Sequence, residues 1–194
     1  AGPLERSIDE HQAILDAVRA GDASEASRLL REHIHVPQRA LEESAGRDDV
    51  GIVVFTGAGS ALCAGGDVKG DPDAPAPRDP HEREAALLAD ARVVERIWEH
   101  PKLTLAAVNG PAVGAGLSLA LACDLRIAAA SARLVTGWGR LAFSGDYGGA
   151  WFLTQLVGPS RALELLAGDG ALDADAALAL GLVNRVVPDE EFPG

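Results

Sequence analysis

The chain has 194 residues, enough to bury a sizeable core in one domain or in one domain with an appendage. With 47% hydrophobic and 24% charged residues it has a globular composition, which excludes wholesale disorder. A formal net charge of -12 with no basic patch argues against nucleic acid as a partner.

The stretch from Ser7 to His35 reads as two helices parted by Gly21-Asp22, and Pro37 opens a third that ends at Gly46. The period then changes. Val50 to Thr56 is a continuous β-branched run, as expected for a strand covered on both faces. Gly57 to Gly66 is glycine-rich, and a Pro/Asp loop fills Gly70 to Pro80. His81 to His100 predicts a long helix with Leu87, Leu88, Ala91, Val94, Ile97 and Trp98 on its apolar face. Leu103 to Val108 predicts a second buried strand, and Val113 to Cys123 a helix of small residues. Short strands at Leu125 to Ala128 and Arg133 to Val135 follow. Helices near Gly149 to Leu156, Ser160 to Leu166 and Asp173 to Leu180 then lead to a last strand at Val183 to Val187. Strands alternating with helices imply an α/β fold with parallel pairing.

Two cysteines, Cys63 and Cys123, form neither a disulfide framework nor a zinc ribbon, which points to a reducing, cytoplasmic compartment. No apolar run reaches membrane-span length, so no membrane partner is expected. Met is absent even at position 1, which reads as a processed chain or a fragment.

Two stretches carry chemistry. Cys63 to Lys69 follows a strand, and Asn109 to Gly116 lies between a strand and a helix. Both bare backbone N–H groups, and the second adds the positive end of a helix dipole. Two N–H groups converging on one point would make an oxyanion hole suited to a thioester enolate. Tight turns explain both stretches equally well on the residues alone. Gly57 to Leu62 imitates a dinucleotide fingerprint but lacks its third glycine and the helix that should follow. Gly116 to Ala120 approaches a nucleophile elbow, yet the last histidine, His100, precedes Ser118, against the hydrolase order. His33 and His35 are a weak metal pair, and no metal site is expected.

From about Asp48 to Pro188 the chain resembles the crotonase superfamily of enoyl-CoA hydratases and isomerases. The matching motifs are Val53 to Gly57, Cys63 to Val68, Ala106 to Gly116, Ala122 to Arg126, Gly148-Gly149, Leu156 to Gly158 and Gly181 to Val187. The resemblance implies a spiral of ββα units, acyl-CoA thioester substrates, and a homotrimer or hexamer. Coenzyme A would enter as part of the substrate, with no separate cofactor. The oxyanion hole would fall on the N–H groups of Gly66 and Ala115, with Ala64, Gly65, Gly114, Ser118 and Trp138 contacting substrate.

Hydratases of this family hold a water between two glutamates, and the matching positions here are Ser118 and Trp138. Neither serves as a carboxylate acid or base. Asp146 resembles the proton-shuttling aspartate of the family's isomerases, so an isomerase-like transfer is expected with Asp146, partly buried, as acid and base. Trp138 and Asp146 also match a pair in the aroyl-CoA dehalogenases, but the histidine those enzymes need has no counterpart near Ala91.

Ser7 to Ile34 resembles the last helices of the FCD domain of GntR-type regulators. The residues matching that family's other metal-bearing helices, and its DNA-binding segment, are missing. The expected organisation is a helical appendage over 1–46 and a crotonase-like core over 47–194, truncated at both ends relative to the family. A working acyl-CoA enzyme and a non-catalytic truncated or fusion protein are both open readings.

Overall fold

The computed structural model describes residues 12–22, 24–26, 28–29, 36–65, 79–168 and 170–192. The chain divides into two units, Ala1–Arg47 and Asp48–Gly194.

In the first unit the backbone is helical at residues 12–19, 24–26 and 28–29, and the rest of the expected helix pair lies outside the described residues. Gly21, at φ 73°, ends the first helical run, with its N–H bonded to the Val18 carbonyl. Asp22 then accepts from the Glu25 N–H at 2.9 Å and starts the next run. Helix α1 spans Val36–Ala45 and buries Leu41.

The second unit is built on ββα turns. Strand β1 is Ile52–Thr56, and helix α2 is Pro80–Trp98. Strands β2 (Leu103–Val108) and β3 (Ala112–Val113) lead into helix α3 (Ala115–Ala122). Strands β4 (Leu125–Ala129) and β5 (Arg133–Val135) lead into helix α4 (Gly149–Ala167). Strand β6 (Ala171–Asp173), helix α5 (Ala174–Ala179) and strand β7 (Arg185–Val187) follow. The first strands of the turns form one parallel sheet, β1-β2-β4-β7. The second strands β3 and β5 form another with β6, in the order β3-β5-β6, in which β5 and β6 are antiparallel. A bridge between Cys63 and Ala112 gives β1 and α2 the same two-strand pattern. This is the expected α/β fold, with each turn of the spiral stacked on the last.

Alanine decides how closely the layers approach. Ala106, Ala120, Ala122 and Ala128 are buried where α3 packs on the main sheet, among Leu117 and Leu121.

The polar groups behind α3 are equally specific. Asp124 accepts from the N–H and the hydroxyl of Thr104, both at 2.8 Å, which ties the end of α3 to β2. Buried Arg126 donates to the carbonyls of Leu121 and Cys123 at the end of α3, and to Leu182 at 2.7 Å. Asn184 accepts from the Arg126 N–H at 2.8 Å. The Ala122 to Arg126 motif is therefore a clamp on the far end of the helix whose near end faces the glycine loop.

Several sequence expectations need correction. Among the described residues β1 is not covered on both faces: it pairs with β2 alone, and Ile52 and Val54 are exposed. The register puts Leu103 and Leu125 on that same open face, while α3 packs on the other. On α2, Val94 and Ile97 are buried, but Leu88 and Trp98 are exposed. Trp98 instead meets Trp151 edge-on at 5.1 Å and Phe152 at a tilt at 5.6 Å. The helix expected from Val113 starts at Ala115, because Ala112 and Val113 pair with β5. The two helices expected between Gly149 and Leu166 run as one element with a kink where Gly158 (φ 77°, ψ 163°) precedes Pro159. Among the described residues no helix is long and apolar enough to cross a membrane.

Replacing Arg126 with Ala leaves buried carbonyls without a donor, and should cost about 2–3 kcal/mol in denaturant unfolding. Burial pushes the Cys123 thiol up to about 12 from an ordinary value of 9.0. The unfolded chain loses that proton first, so this thiol's contribution to stability falls as pH rises from about 9 towards 12. Cys123→Ala should remove that part of the alkaline loss, at most about 1.4 kcal/mol per pH unit, in unfolding curves compared at about pH 8 and about pH 10.5.

Candidate active site

The site begins where the Cys63 segment lies along β3. Leu62 and Cys63 donate their N–H groups to the Pro111 carbonyl at 3.0 and 3.2 Å, and the Val113 N–H donates to the Cys63 carbonyl at 3.0 Å. Asn109 fixes the preceding turn, donating from Nδ2 to the Gly57 and Gly59 carbonyls at 3.0 and 2.9 Å. The segment lies so close to α3 that a Cβ on Gly116 would sit 2.5 Å from the Cys63 Cβ. A Cβ on Gly65, at φ 86°, would meet the Val113 carbonyl at 2.7 Å and lie 4.0 Å from the Ala115 nitrogen. The loop's bare backbone thus arrives beside the first N–H of α3. Gly114 caps that helix with φ 53° and ψ -118°, and donates its own N–H to Val135 at 2.9 Å. Ala115 opens the helix, and N–H groups of a first turn have no partner within the helix. Ala64 is exposed on the same segment, while Gly66 lies outside the described residues.

The second half of the site is an aspartate held from below. The Trp138 indole Nε1 donates to Asp146 Oδ1 at 2.8 Å. The Ser118 hydroxyl donates to the Asp146 backbone carbonyl at 3.0 Å, and the Gly149 N–H donates to the same carbonyl at 2.8 Å. Ser118 and Trp138 are buried, at 0% and 2% exposure, while Asp146 is exposed. Asp146 is thus exposed rather than partly buried as expected, because it stands in the turn before α4 with one carboxylate oxygen on the indole N–H. A Cβ on Gly149 would sit 2.3 Å from the Trp138 ring and 2.6 Å from the Ser118 hydroxyl, so the start of α4 rests directly on both. A Cβ on Gly114 would lie 3.7 Å from Trp138 Nε1. One indole N–H therefore separates the Asp146 carboxylate from the turn that presents the Ala115 N–H.

Two groups near this pair, Tyr147 and Asp90, were not among the site residues expected from the sequence. Tyr147 follows Asp146 at φ 49°, with a half-buried side chain. Burial first, then the charges of Asp90, Asp146 and Cys63, pushes its phenol above the ordinary value. Asp90 lies on α2 in step with buried Val94 and Ile97, at i, i+4 and i+7. That signal was available in the sequence as a charged residue on an apolar stripe. Among the described residues no cluster of His, Cys, Asp or Glu could hold a metal. His33 and His35 lie outside them.

A family model described as enoyl-CoA hydratase/isomerase matches residues 29–194, and the FCD domain matches residues 1–36. A 4-chlorobenzoyl coenzyme A dehalogenase-2 of an Arthrobacter species is 38% identical over 168 residues, 86% of this chain and 59% of the relative. The 1,2-epoxyphenylacetyl-CoA isomerase of Escherichia coli is 36% identical over 165 residues, 83% of this chain and 62% of the relative. The crystal structure of an enoyl-CoA hydratase from Bacillus anthracis superposes with a TM-score of 0.74 at 33% identity, over 82% of this chain and 60% of that one. The chain thus spans about three fifths of the length of each.

The Trp138 hydrogen bond has a direct readout. In Asp146→Ala the indole N–H resonance of Trp138 should move upfield by proton–nitrogen NMR, while those of Trp98 and Trp151 stay in place. An unmoved Trp138 signal would place the carboxylate elsewhere.

Proposed function

Because the chain belongs to the enoyl-CoA hydratase/isomerase family, we propose that it binds acyl-CoA thioesters and moves a proton along the acyl chain. The observation that carries this reading is the Asp146 carboxylate, fixed by Trp138 and Ser118 one indole away from the Gly114–Ala115 turn.

The Ala115 N–H, joined by that of Gly66, holds the thioester oxygen as it gains charge. Ala64, Gly65 and Gly114 line the same backbone cradle, and their small size lets the thioester approach. Asp146 Oδ2 is the carboxylate oxygen left clear of the indole. It removes a proton from the carbon beside the thioester, leaving an enolate whose negative charge rests on the oxygen between the N–H groups. Returned at a carbon further along, the proton shifts the double bond. Ser118 and Trp138 position Asp146 and supply no second carboxylate for holding a water, which favours proton shift over hydration. Coenzyme A enters and leaves as part of the substrate, with no other cofactor.

Loss of chloride from an aroyl thioester would need a base to activate water for the hydrolysis that follows. The region of α2 near Ala91, which matches the stretch that carries the dehalogenases' histidine, has none. 4-Chlorobenzoyl-CoA therefore serves as a negative control.

Asp146→Asn keeps the shape and loses the base. Conversion of 3-enoyl to 2-enoyl CoA esters, followed by absorbance and mass, should fall by at least ~100-fold while the affinity for the CoA ester changes by no more than about threefold. Full retained turnover in the variant would remove Asp146 from the chemistry.

A further inference from the structure

The indole of Trp138 aims Asp146, and something in turn has to aim the indole. Trp138 lies three residues beyond the end of β5, on a segment gripped from two sides. On one side the Val135 carbonyl accepts the Gly114 N–H at 2.9 Å, and the Cβ that Gly114 lacks would lie 3.8 Å from the Thr136 carbonyl oxygen. On the other side stands the last turn of α4. The final carbonyls of a helix have few partners within it. Here the Gly168 N–H takes the Glu164 carbonyl, and the Thr136 hydroxyl donates to the Leu165 carbonyl at 2.9 Å. The Thr136 N–H donates to the Gly170 carbonyl, just past that helix, at 3.1 Å. Thr136 is 2% exposed, where losing a donor is costly. The fit is close. A Cβ on Gly170 would sit 1.8 Å from Thr136 Oγ1, and one on Gly139, next to Trp138, would sit 2.9 Å from the Leu166 carbonyl oxygen. Helix α4 therefore meets this segment twice, with Gly149 against the Trp138 ring and its last turn against Thr136 and Gly139. The kink at Gly158 lies between the two contacts.

We propose that the last turn of α4 is a latch on the Trp138 segment, and that Thr136 is a positioning residue for Asp146. This inference rests on the proton-shift reading for its effect on turnover, though not for its geometry. The connection is short. The Leu165 carbonyl holds the Thr136 hydroxyl, Gly137 at φ 66° makes the bend that leads to Trp138, and the indole N–H holds Asp146 Oδ1. Without the hydroxyl the Leu165 carbonyl loses its donor, the segment is free to move away from α4, and the indole moves with it. A base displaced by about 1 Å from its productive place costs on the order of 100-fold in rate. Thr136 acts through Trp138 and not on the substrate, so the loss falls on kcat and not on KM.

Three variants test the latch. Thr136→Val removes the hydroxyl and keeps the shape, and Thr136→Ser keeps the hydroxyl. Gly139→Ala presses the Trp138 segment off the Leu166 carbonyl with the hydroxyl intact. Each is followed by the Trp138 indole N–H resonance in proton–nitrogen NMR and by conversion of a 3-enoyl to a 2-enoyl CoA ester. In Thr136→Val and Gly139→Ala the resonance should move upfield, the direction expected for Asp146→Ala. Their kcat should fall at least ~10-fold while KM stays within about threefold of wild type. Thr136→Ser should leave the resonance in place and kcat within about twofold of wild type. A folded Thr136→Val that melts earlier yet keeps the wild-type resonance and kcat would overturn the latch and leave Thr136 a purely structural residue. Equal losses in Thr136→Ser and Thr136→Val would also overturn it. Should Thr136→Val not fold, Gly139→Ala decides on the same two readings. Wild-type protein that converts no ester would overturn the proton-shift reading, and the resonance alone then decides: moved in Thr136→Val it upholds the latch, unmoved it overturns it.

Discussion

The hydrogen bond from the Trp138 indole to the Asp146 carboxylate joins elements that are far apart in the chain. Trp138 is buried after β5, Asp146 sits in the turn before α4, and Ser118 on α3 binds the backbone of that same turn. Removing the indole N–H would let the carboxylate rotate away from Gly114. Enlarging Gly149 would push α4 off both supports. The carboxylate can therefore stand exposed and still have one orientation, which a lone turn aspartate would not.

The fold supplies the counterpart on the other side. The Cys63 segment and β3 exchange backbone hydrogen bonds, and the absence of a side chain at Gly116 allows α3 to begin against them. At its other end α3 is anchored by Asp124, Thr104 and Arg126. A helix pinned at both ends holds its first N–H groups still. Preorganised donors of this kind stabilise developing charge without rearranging during the reaction. The Ala-rich composition serves the same geometry, since small side chains let α3 lie close to the sheet and to the glycine segment.

Legibility in the sequence followed the length of each signal. Apolar runs of six or seven residues such as Val50 to Thr56 and Leu103 to Val108 announced their strands, and Gly46 and Pro101 marked helix ends. Two- and three-residue strands, β3 and β6, carry no period and are set by neighbours distant in the chain. Exposure was hardest to read: Ile52, Val54, Leu88 and Trp98 look like core, and only the partners of each element reveal an open face. In the site, the glycine stretches stood out because backbone-driven chemistry needs small residues at fixed positions, while Asp146 and Ala115 were picked out by the family resemblance. The support from Trp138 and Ser118 depends on tertiary contact. Asp90 was visible only as a charge out of place on an apolar stripe, and Tyr147 gains its meaning from a left-handed backbone that local sequence does not specify.

The enolate account turns on whether backbone N–H groups polarise a bound thioester. Infrared difference spectra of a 3-enoyl CoA ester carrying carbon-13 at the thioester carbonyl, bound to Asp146→Asn so that it does not react, measure this directly. The account predicts a carbonyl stretch at clearly lower frequency than for the same ester in water. A bound ester whose stretch matches the free value, or moves higher, would contradict it.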